Sequence, residues 1–288
     1  MKILFCTDGS KISYHAIRNF SRWFKDFTVD ILCVIDLSFL PDTISVESSG
    51  FNRQCANSAD VILDYTERFL KEFDIVIGEK LKMCGSTVDS ILETLNTNQY
   101  EYVVVLGSHG KKGIQKWLGS VSQEVSSVAK ISTYISKELN DSKKILFTID
   151  SLDTTPKVVS KCIETMNLSD KDIYLTTVYE VPDYLFLEGN LDSNWIIEVE
   201  QKQEKAAMLL LNQFEKIFIE SNLNIKDKVI LRGTPAQEII KYASINEIDL
   251  IVSGARDKKG LSRIFLGSVS KRILENTNSD SLIIRINK

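Results

Sequence analysis

Short apolar runs alternate with longer amphipathic segments along the whole chain. The runs at 103–106 and 250–252 are continuously apolar, which is typical of parallel strands buried on both faces. Between such runs, segment 10–25 places apolar side chains at helical spacing, with Ser10 able to cap the helix. The alternation and the short connections predict an α/β fold, in which a mainly parallel sheet carries helices on both faces.

The second half of the chain shows the same kind of pattern. Thr155 followed by Pro156 is typical of a helix start. Amphipathic spacing predicts three further helices, at 198–220, 237–243 and 269–276. The last apolar run of each half predicts a final strand, at 133–136 and 281–286.

Landmarks in the first half recur in the same order in the second half. Their offsets are 142, 147 and 148 residues for three pairs: Asp8 and Asp150, Gly107 and Gly254, and the motif Leu-Gly-Ser-Val-Ser at 118–122 and 266–270. A constant order at a nearly constant offset indicates a tandem duplication. We therefore predict two doubly wound domains, 1–138 and 143–288, each with a five-stranded sheet, joined by the short polar segment 138–143.

Composition and charge disfavour several classes of partner. The 288 residues suffice for two domains of ordinary size. The chain carries 35 basic and 39 acidic residues, and a net charge of −4 disfavours nucleic acid, which requires a basic face. No apolar run approaches the roughly 20 residues of a membrane span, and the first residues lack the apolar stretch of a signal peptide. We expect a cytoplasmic protein that binds neither nucleic acid nor membrane.

The cysteines and histidines exclude further kinds of site. Cys6, Cys33, Cys55, Cys84 and Cys162 are odd in number and dispersed, which favours buried reduced thiols over a disulfide framework or a zinc site. The chain has two His and contains neither His-Glu-x-x-His nor Gly-x-Ser-x-Gly. We therefore predict no metal site and no catalytic triad.

The candidate chemistry lies where the predicted strands end, because ligands of open α/β sheets bind beyond the carboxyl ends of the strands. Each half has a carboxylate after its first strand, Asp8 or Asp150, and a valine late in its second, Val34 or Val178. A Gly-rich segment follows the fourth strand and leads to a Gly-Ser pair that opens a helix. The N–H groups and dipole of such a helix start favour an anion, so each half is predicted to form a nucleotide pocket.

These residues resemble the universal stress protein family over essentially the whole chain, as two tandem domains. ATP-binding members carry Gly-x2-Gly-x9-Gly-Ser/Thr and an Asp after the first strand. The resemblance implies an adenine nucleotide alpha hydrolase-like fold, a stress-response function, and binding of ATP or ADP, with Mg²⁺ held only through the nucleotide. The implied nucleotide-binding residues of the first half are Asp8, Val34, Gly107, Gly110, Gly119, Ser120 and Val121. Those of the second half are Asp150, Val178, Gly254, Gly267, Ser268 and Val269.

Both halves depart from the family motif. The first half has eight residues, 111–118, where the motif has nine. The second half keeps nine but has Asp257 in place of the second Gly. At ~5 Å and an effective dielectric constant of ~20, one like-charge pair costs roughly 3 kcal/mol, although basic neighbours such as Arg256 could offset it. We expect the first half to be the better nucleotide site.

Plainer roles remain open for the same residues. The glycines could serve only tight turns, Asp8 and Asp150 only turns or helix caps, and Ser120 could form a capping box with Gln123. Three functions follow: a nucleotide-binding regulatory module, a scaffold that has lost nucleotide, and a slow ATPase. The ATPase is disfavoured because no general base is evident.

The resemblance also bears on assembly. Family members commonly dimerise through their last strands, and a tandem chain can satisfy that contact internally. We therefore expect a pseudo-two-fold monomer in which 133–136 lies near 281–286, with further association into a dimer of tandem chains left open. The protein partner is unknown, and the segments 37–60 and 182–194, the least alike parts of the repeat, are where it would be selected.

Overall fold

The structure, a computed structural model, describes residues 1–38, 51–106, 119–137, 139–153, 155–180, 193–255 and 266–286. The first half contains β1 (Lys2–Thr7), α1 (Lys11–Trp23), β2 (Thr28–Asp36), α2 (Phe51–Lys71), β3 (Val76–Gly85), α3 (Thr87–Thr97), β4 (Tyr102–Leu106), α4 (Ser120–Val128) and β5 (Ser132–Ser136). The second half contains β6 (Lys144–Thr148), α5 (Thr155–Thr165), β7 (Asp172–Tyr179), α6 (Ser193–Glu220), β8 (Ile225–Arg232), α7 (Pro235–Ile245), β9 (Leu250–Gly254), α8 (Ser268–Asn276) and β10 (Asp280–Ile284).

The strands of both halves form one ten-stranded sheet in the order β3-β2-β1-β4-β5-β10-β9-β6-β7-β8. Within each half the strands are parallel, as predicted. The halves join through an antiparallel ladder between β5 and β10, in which Tyr134 pairs with Leu282. The predicted proximity of the two last strands is therefore confirmed. The two five-stranded sheets that we predicted are joined into one continuous sheet.

The helices lie close to their predicted positions. The Ser10 side chain accepts a hydrogen bond from Ser13 N at 3.2 Å, which caps α1 as expected. The helix predicted at 198–220 begins earlier, so that α6 spans Ser193–Glu220. The helices predicted at 237–243 and 269–276 are α7 and α8, and α5 begins at Thr155.

Helices cover both faces of the sheet. One face carries α1, α2, α5 and α6, and its apolar core runs without interruption from one half into the other. Contacts between the halves support this continuity, since Tyr102 Oη on β4 lies 3.0 Å from Thr165 Oγ1 on α5, within hydrogen-bonding distance. The opposite face carries α3 and α4 over the first half and α7 and α8 over the second.

A buried carboxylate lies at the junction of the halves. Asp280 on β10 has no exposed surface and accepts hydrogen bonds from Tyr134 Oη at 2.5 Å, Lys137 N at 2.7 Å and Asn19 Nδ2 at 3.0 Å. All three donors belong to the first half, so this network ties β10 to the other domain. Burial raises the pKa of Asp280 to about 6, while the hydrogen bonds act in the opposite direction.

The prediction that every cysteine is a reduced thiol is wrong for one pair. Cys55 on α2 and Cys84 at the end of β3 form a disulfide with Cα atoms 6.4 Å apart, whereas Cys6, Cys33 and Cys162 are buried and free. The pair is separated by 29 residues along the chain, and only the packing of α2 on β3 brings the two side chains together. The spacing of the cysteines along the chain therefore does not predict this disulfide.

We expect the Cys55–Cys84 bond to stabilise the fold by about 3–4 kcal/mol, because it closes a loop of roughly thirty residues in the unfolded chain. Urea unfolding of the oxidised protein, with and without dithiothreitol, measures this difference. The double variant Cys55→Ser/Cys84→Ser is the control and should not respond to the reductant. Equal free energies of unfolding for the oxidised and reduced wild type would contradict the prediction.

Asp280 should make stability fall with rising pH. The folded-state pKa of Asp280, about 6, lies above the ordinary value of 3.8. Its contribution to the free energy of unfolding is therefore complete at a pH below 3.8 and is lost as the pH rises through about 6. Relative to Asp280→Asn, the wild-type free energy of unfolding should drop by about 3 kcal/mol across that window. Urea titrations at stepped pH test this, with Asp141→Asn, an exposed carboxylate near the junction, as control. Parallel pH profiles for wild type and Asp280→Asn would disprove it.

Candidate functional site

A cavity of about 430 Å³ opens at the carboxyl ends of β1, β2 and β4. It is lined by five of the residues singled out in the first half: Asp8, Val34, Gly119, Ser120 and Val121. Gly107 and Gly110 lie outside the described residues, as do Asp257 and His109, one of the two histidines. Residues from three strands and a helix start, far apart in sequence, thus meet at one edge of the sheet, where α/β folds bind ligands.

An equivalent cavity of about 320 Å³ lies in the second half. It is lined by all six residues singled out there: Asp150, Val178, Gly254, Gly267, Ser268 and Val269. The duplication is therefore visible in the surface features as well as in the strand order.

The carboxylate after the first strand of each half also organises its local turn. Asp8 Oδ1 accepts a hydrogen bond from Ser10 N at 2.9 Å, next to Gly9 with a φ of +77°. Asp150 Oδ1 accepts a hydrogen bond from Thr155 Oγ1 at 2.9 Å. Both residues line their cavities and both are exposed, so the turn-forming role and a ligand-facing role coexist in the same side chain.

The helix start in each cavity lacks a side-chain cap. Gly119 and Gly267 are the N-caps of α4 and α8, both in extended backbone conformation, and neither helix start has a side-chain capping hydrogen bond. The capping box considered for Ser120 is not formed, because the N-cap is Gly119, which has no hydroxyl. The Gln123 side chain donates to Glu275 Oε1 on α8, at 2.7 Å. First-turn N–H groups at the cavity wall, together with the helix dipole, are suited to a phosphate.

Several residues that line the first cavity were not singled out from the sequence, and Asp36 and Ile62 are two of them. Asp36, at the end of β2, lines the cavity and accepts a hydrogen bond from Thr87 Oγ1 at 3.2 Å. Hydrogen bonds from Ser38 and Thr87 lower the pKa of Asp36 below its ordinary value. Asp36 was detectable in principle, since it ends the same apolar run as Val34. Ile62 reaches the wall from α2, and no local pattern distinguishes it from other apolar residues of that helix.

The disulfide lies next to this wall. In the sheet, Ile35 pairs with Cys84 and Asp36 with Gly85, and both Ile35 and Asp36 line the cavity. On the other side of the bond, Cys55 precedes Ile62 by two helical turns of α2. The cross-link therefore joins two elements that shape the first cavity.

One of the two histidines, His15, lies outside both cavity linings. It is half-buried on α1, and its burial lowers its pKa. Among the described residues, each helix is too short or too polar to cross a bilayer.

The sequence of this chain is similar to those of known proteins of one family. A family model described as the Universal stress protein family matches residues 1–137 and again residues 142–285. Universal stress protein Slr1230 of Synechocystis sp. is 21% identical over 312 residues, covering 98% of this chain and 99% of that protein. Universal stress protein MJ0531 of Methanocaldococcus jannaschii is 29% identical over 143 residues, covering 50% of this chain and 82% of that protein.

Solved structures agree on the fold. The crystal structure of a universal stress protein from Archaeoglobus fulgidus covers 99% of this chain and 98% of its own, with a TM-score of 0.69 at 16% identity. At that identity the likeness shows the fold. Another solved relative is a universal stress protein in complex with cAMP, at 19% identity over 49% of this chain and 95% of that chain, with a TM-score of 0.30.

Proposed function

Since the chain belongs to the universal stress protein family, a stress-response class, we propose that it is a regulatory protein that binds ATP or ADP in its first cavity. Binding would change the conformation or the partner contacts of the protein. The proposal includes no hydrolytic step, places the protein in the cytoplasm, and treats residues 1–138 and 143–288 as the two units.

One observation carries this proposal: the first cavity has a carboxylate on one side, an uncapped helix start on another, and an apolar wall between them. Asp8 can accept hydrogen bonds from ribose hydroxyls, and Val34 can pack against the base. The amides of 119–121 can donate to phosphate oxygens. The volume of about 430 Å³ lies within the range of about 300–1,000 Å³ that small-molecule sites occupy.

Further residues and a metal belong to the same proposal. Gly107 and Gly110, which lie outside the described residues, are included in the phosphate loop on the resemblance to the family motif alone. Mg²⁺ would be held through the phosphates of the nucleotide and would need no protein cage of its own. The second cavity, with Asp150, Val178, Gly254, Gly267, Ser268 and Val269, is the weaker nucleotide site of this proposal.

A single added carboxylate at Gly119 should weaken nucleotide binding in the first cavity without unfolding the helix. Gly119 has a φ of −62°, which any residue can adopt, and an acidic side chain at a helix N-terminus favours the helix. The same charge repels phosphate, so we expect Gly119→Glu to weaken ATP and ADP binding by at least about tenfold. Isothermal titration with Mg²⁺ present measures this.

Gly267→Glu is the matched control, since a Cβ added at Gly267 would meet no atom within 4 Å. It should leave binding in the first cavity unchanged. Absence of ATP or ADP binding to the wild type at millimolar concentration, or equal affinity in wild type and Gly119→Glu, would refute the proposed function.

A further inference from the structure

The Cys55–Cys84 disulfide is accessible from one side. Cys84, at the end of the sheet-edge strand β3, is exposed, whereas Cys55 on α2 is only 5% exposed. A thiolate in solution can therefore approach the bond from the side of Cys84, and the rate of disulfide exchange depends on such access. Disulfides of cytoplasmic proteins are usually transient or redox-sensing, because the thiol systems of that compartment keep cysteines reduced. The cytoplasmic location that we propose therefore makes this bond a candidate for a redox-sensitive element.

The other three cysteines are unsuited to exchange with this bond. Cys6, Cys33 and Cys162 are free and buried. Burial raises the pKa of Cys33 to about 11 and that of Cys162 to about 12, so the thiolate, the form that attacks a disulfide, is scarce at neutral pH. Breaking the Cys55–Cys84 bond therefore requires a thiol from outside the chain.

On the β3 side, the bond adjoins one wall of the first cavity. Gly85 directly follows Cys84 and pairs with Asp36 in the sheet. Gly85 has a φ of +139°, a conformation that favours glycine, and the chain then enters α3 at Thr87. Thr87 Oγ1 donates to Asp36 at 3.2 Å, and both residues line the cavity. The position of Cys84 is therefore coupled to this wall through two adjoining residues of the backbone.

On the α2 side, the bond is connected to the turn that carries Asp8. Ile62 follows Cys55 by two helical turns and lines the cavity. Ile62 also packs on Gly9, since a Cβ added at Gly9 would lie 3.1 Å from Ile62 Cγ2. Gly9 directly follows Asp8, so α2 supports the carboxylate side of the first cavity.

The other polar contacts between α2 and β3 are weaker than the disulfide. Lys82 pairs with Asp60 at 2.7 Å and Lys80 with Asp64 at 3.1 Å, and all four side chains are substantially exposed. Such ion pairs contribute at most about 1 kcal/mol each. Both also lie beyond Cys55 along α2, so reduction of the disulfide leaves the start of the helix without a cross-link to β3.

The second half has a different contact at the corresponding place. Arg232 ends β8 as Cys84 ends the matching part of β3, and each residue precedes a glycine with positive φ. Arg232 Nε pairs with Glu200 Oε1 on α6 at 2.8 Å. The second half contains a single cysteine, Cys162. An ion pair does not respond to thiols, so only the first cavity adjoins a redox-sensitive cross-link.

We propose that the Cys55–Cys84 bond is a redox switch for the first cavity. The disulfide fixes α2 and the end of β3 before a ligand arrives, so the oxidised cavity is pre-organised for binding. Reduction frees these two elements, and a nucleotide then has to order them when it binds. Reduction therefore weakens nucleotide binding in the first cavity. This inference rests on the proposed function and adds its regulation.

The reductant is a dithiol, and the exchange takes place in two steps. A thiolate of the dithiol attacks the sulfur of Cys84, so a mixed disulfide forms, the Cys55–Cys84 bond breaks, and Cys55 leaves as a thiolate that takes a proton from water. The second thiolate of the dithiol then attacks its partner sulfur in the mixed disulfide and releases Cys84, which is protonated in turn. The protein gains two electrons and two protons, and the dithiol becomes a disulfide.

The first experiment measures binding in the two redox forms. ATP with Mg²⁺ is titrated calorimetrically into oxidised and dithiothreitol-reduced Gly267→Glu, in which the first cavity is unaltered. We expect reduction to weaken ATP binding by at least about fivefold. The matched control adds Cys55→Ser and Cys84→Ser to the same chain, which should bind ATP as the reduced form does and should not respond to dithiothreitol.

The second experiment measures the reverse effect. If the disulfide favours ATP, ATP must favour the disulfide by the same factor. The wild type is equilibrated with reduced and oxidised glutathione at stepped ratios, and the free Cys84 thiol is quantified by alkylation and mass spectrometry. ATP should raise the equilibrium constant for bond formation at least about fivefold in the wild type. It should have no such effect in Gly119→Glu, the control in which the first cavity is impaired.

Hydrogen exchange supplies a readout that needs no nucleotide. We expect the backbone amides of 55–62 and 84–87 to exchange faster after reduction in the wild type, and to be unaffected by dithiothreitol in the double serine variant.

The outcomes separate the inference from the proposed function. Equal ATP affinity of the oxidised and reduced forms overturns the inference and leaves the proposed function standing. Unchanged hydrogen exchange after reduction, or failure of the bond to form in oxidised glutathione, also overturns the inference alone. Absence of ATP binding to both redox forms overturns the proposed function and, with it, the control of nucleotide binding.

Discussion

The antiparallel pairing of β5 with β10 is the contact on which the rest of the molecule depends. Each half alone would end in an exposed strand edge, which is prone to unwanted pairing. Joining the edges produces one ten-stranded sheet and lets the core on the α1 and α5 face run through both halves. The same junction places Asp280 among donors of the first half and brings α4 against α8, where Gln123 meets Glu275. Loss of this ladder would expose all of these groups.

The junction also sets where the two cavities lie. Within each half the strands are parallel, so their carboxyl ends share one edge of the sheet. Because the halves are antiparallel to one another, those edges are opposite, and the cavities open at opposite ends of the strands. No residue lines both cavities among those described. Two sites separated in this way can diverge in ligand without disturbing each other.

The two halves share one backbone fold but use different side-chain contacts at corresponding places. The first half ties α2 to the end of β3 by the Cys55–Cys84 bond, while the second half ties α6 to the end of β8 by an ion pair, Arg232 Nε to Glu200 Oε1 at 2.8 Å. Both cavities keep an aspartate, a valine and a Gly-Ser-Val helix start, so these differences lie beside the cavity residues that the halves share.

The sequence by itself determined the α/β class, the duplication and the helices and strands for which it gave positions, because these depend on periodicities of neighbouring residues. The long helix α2 was not among them. The sequence also predicted which residues lie together in each cavity, since the carboxyl ends of parallel strands meet at one edge of the sheet. Their role toward a nucleotide stays a prediction. Only the tertiary structure decided that Cys55 meets Cys84, that Ile62 completes the first cavity, and that Gln123 bonds across the junction rather than capping α4. Those contacts join elements distant along the chain, so their partners are chosen by packing, which no local pattern encodes.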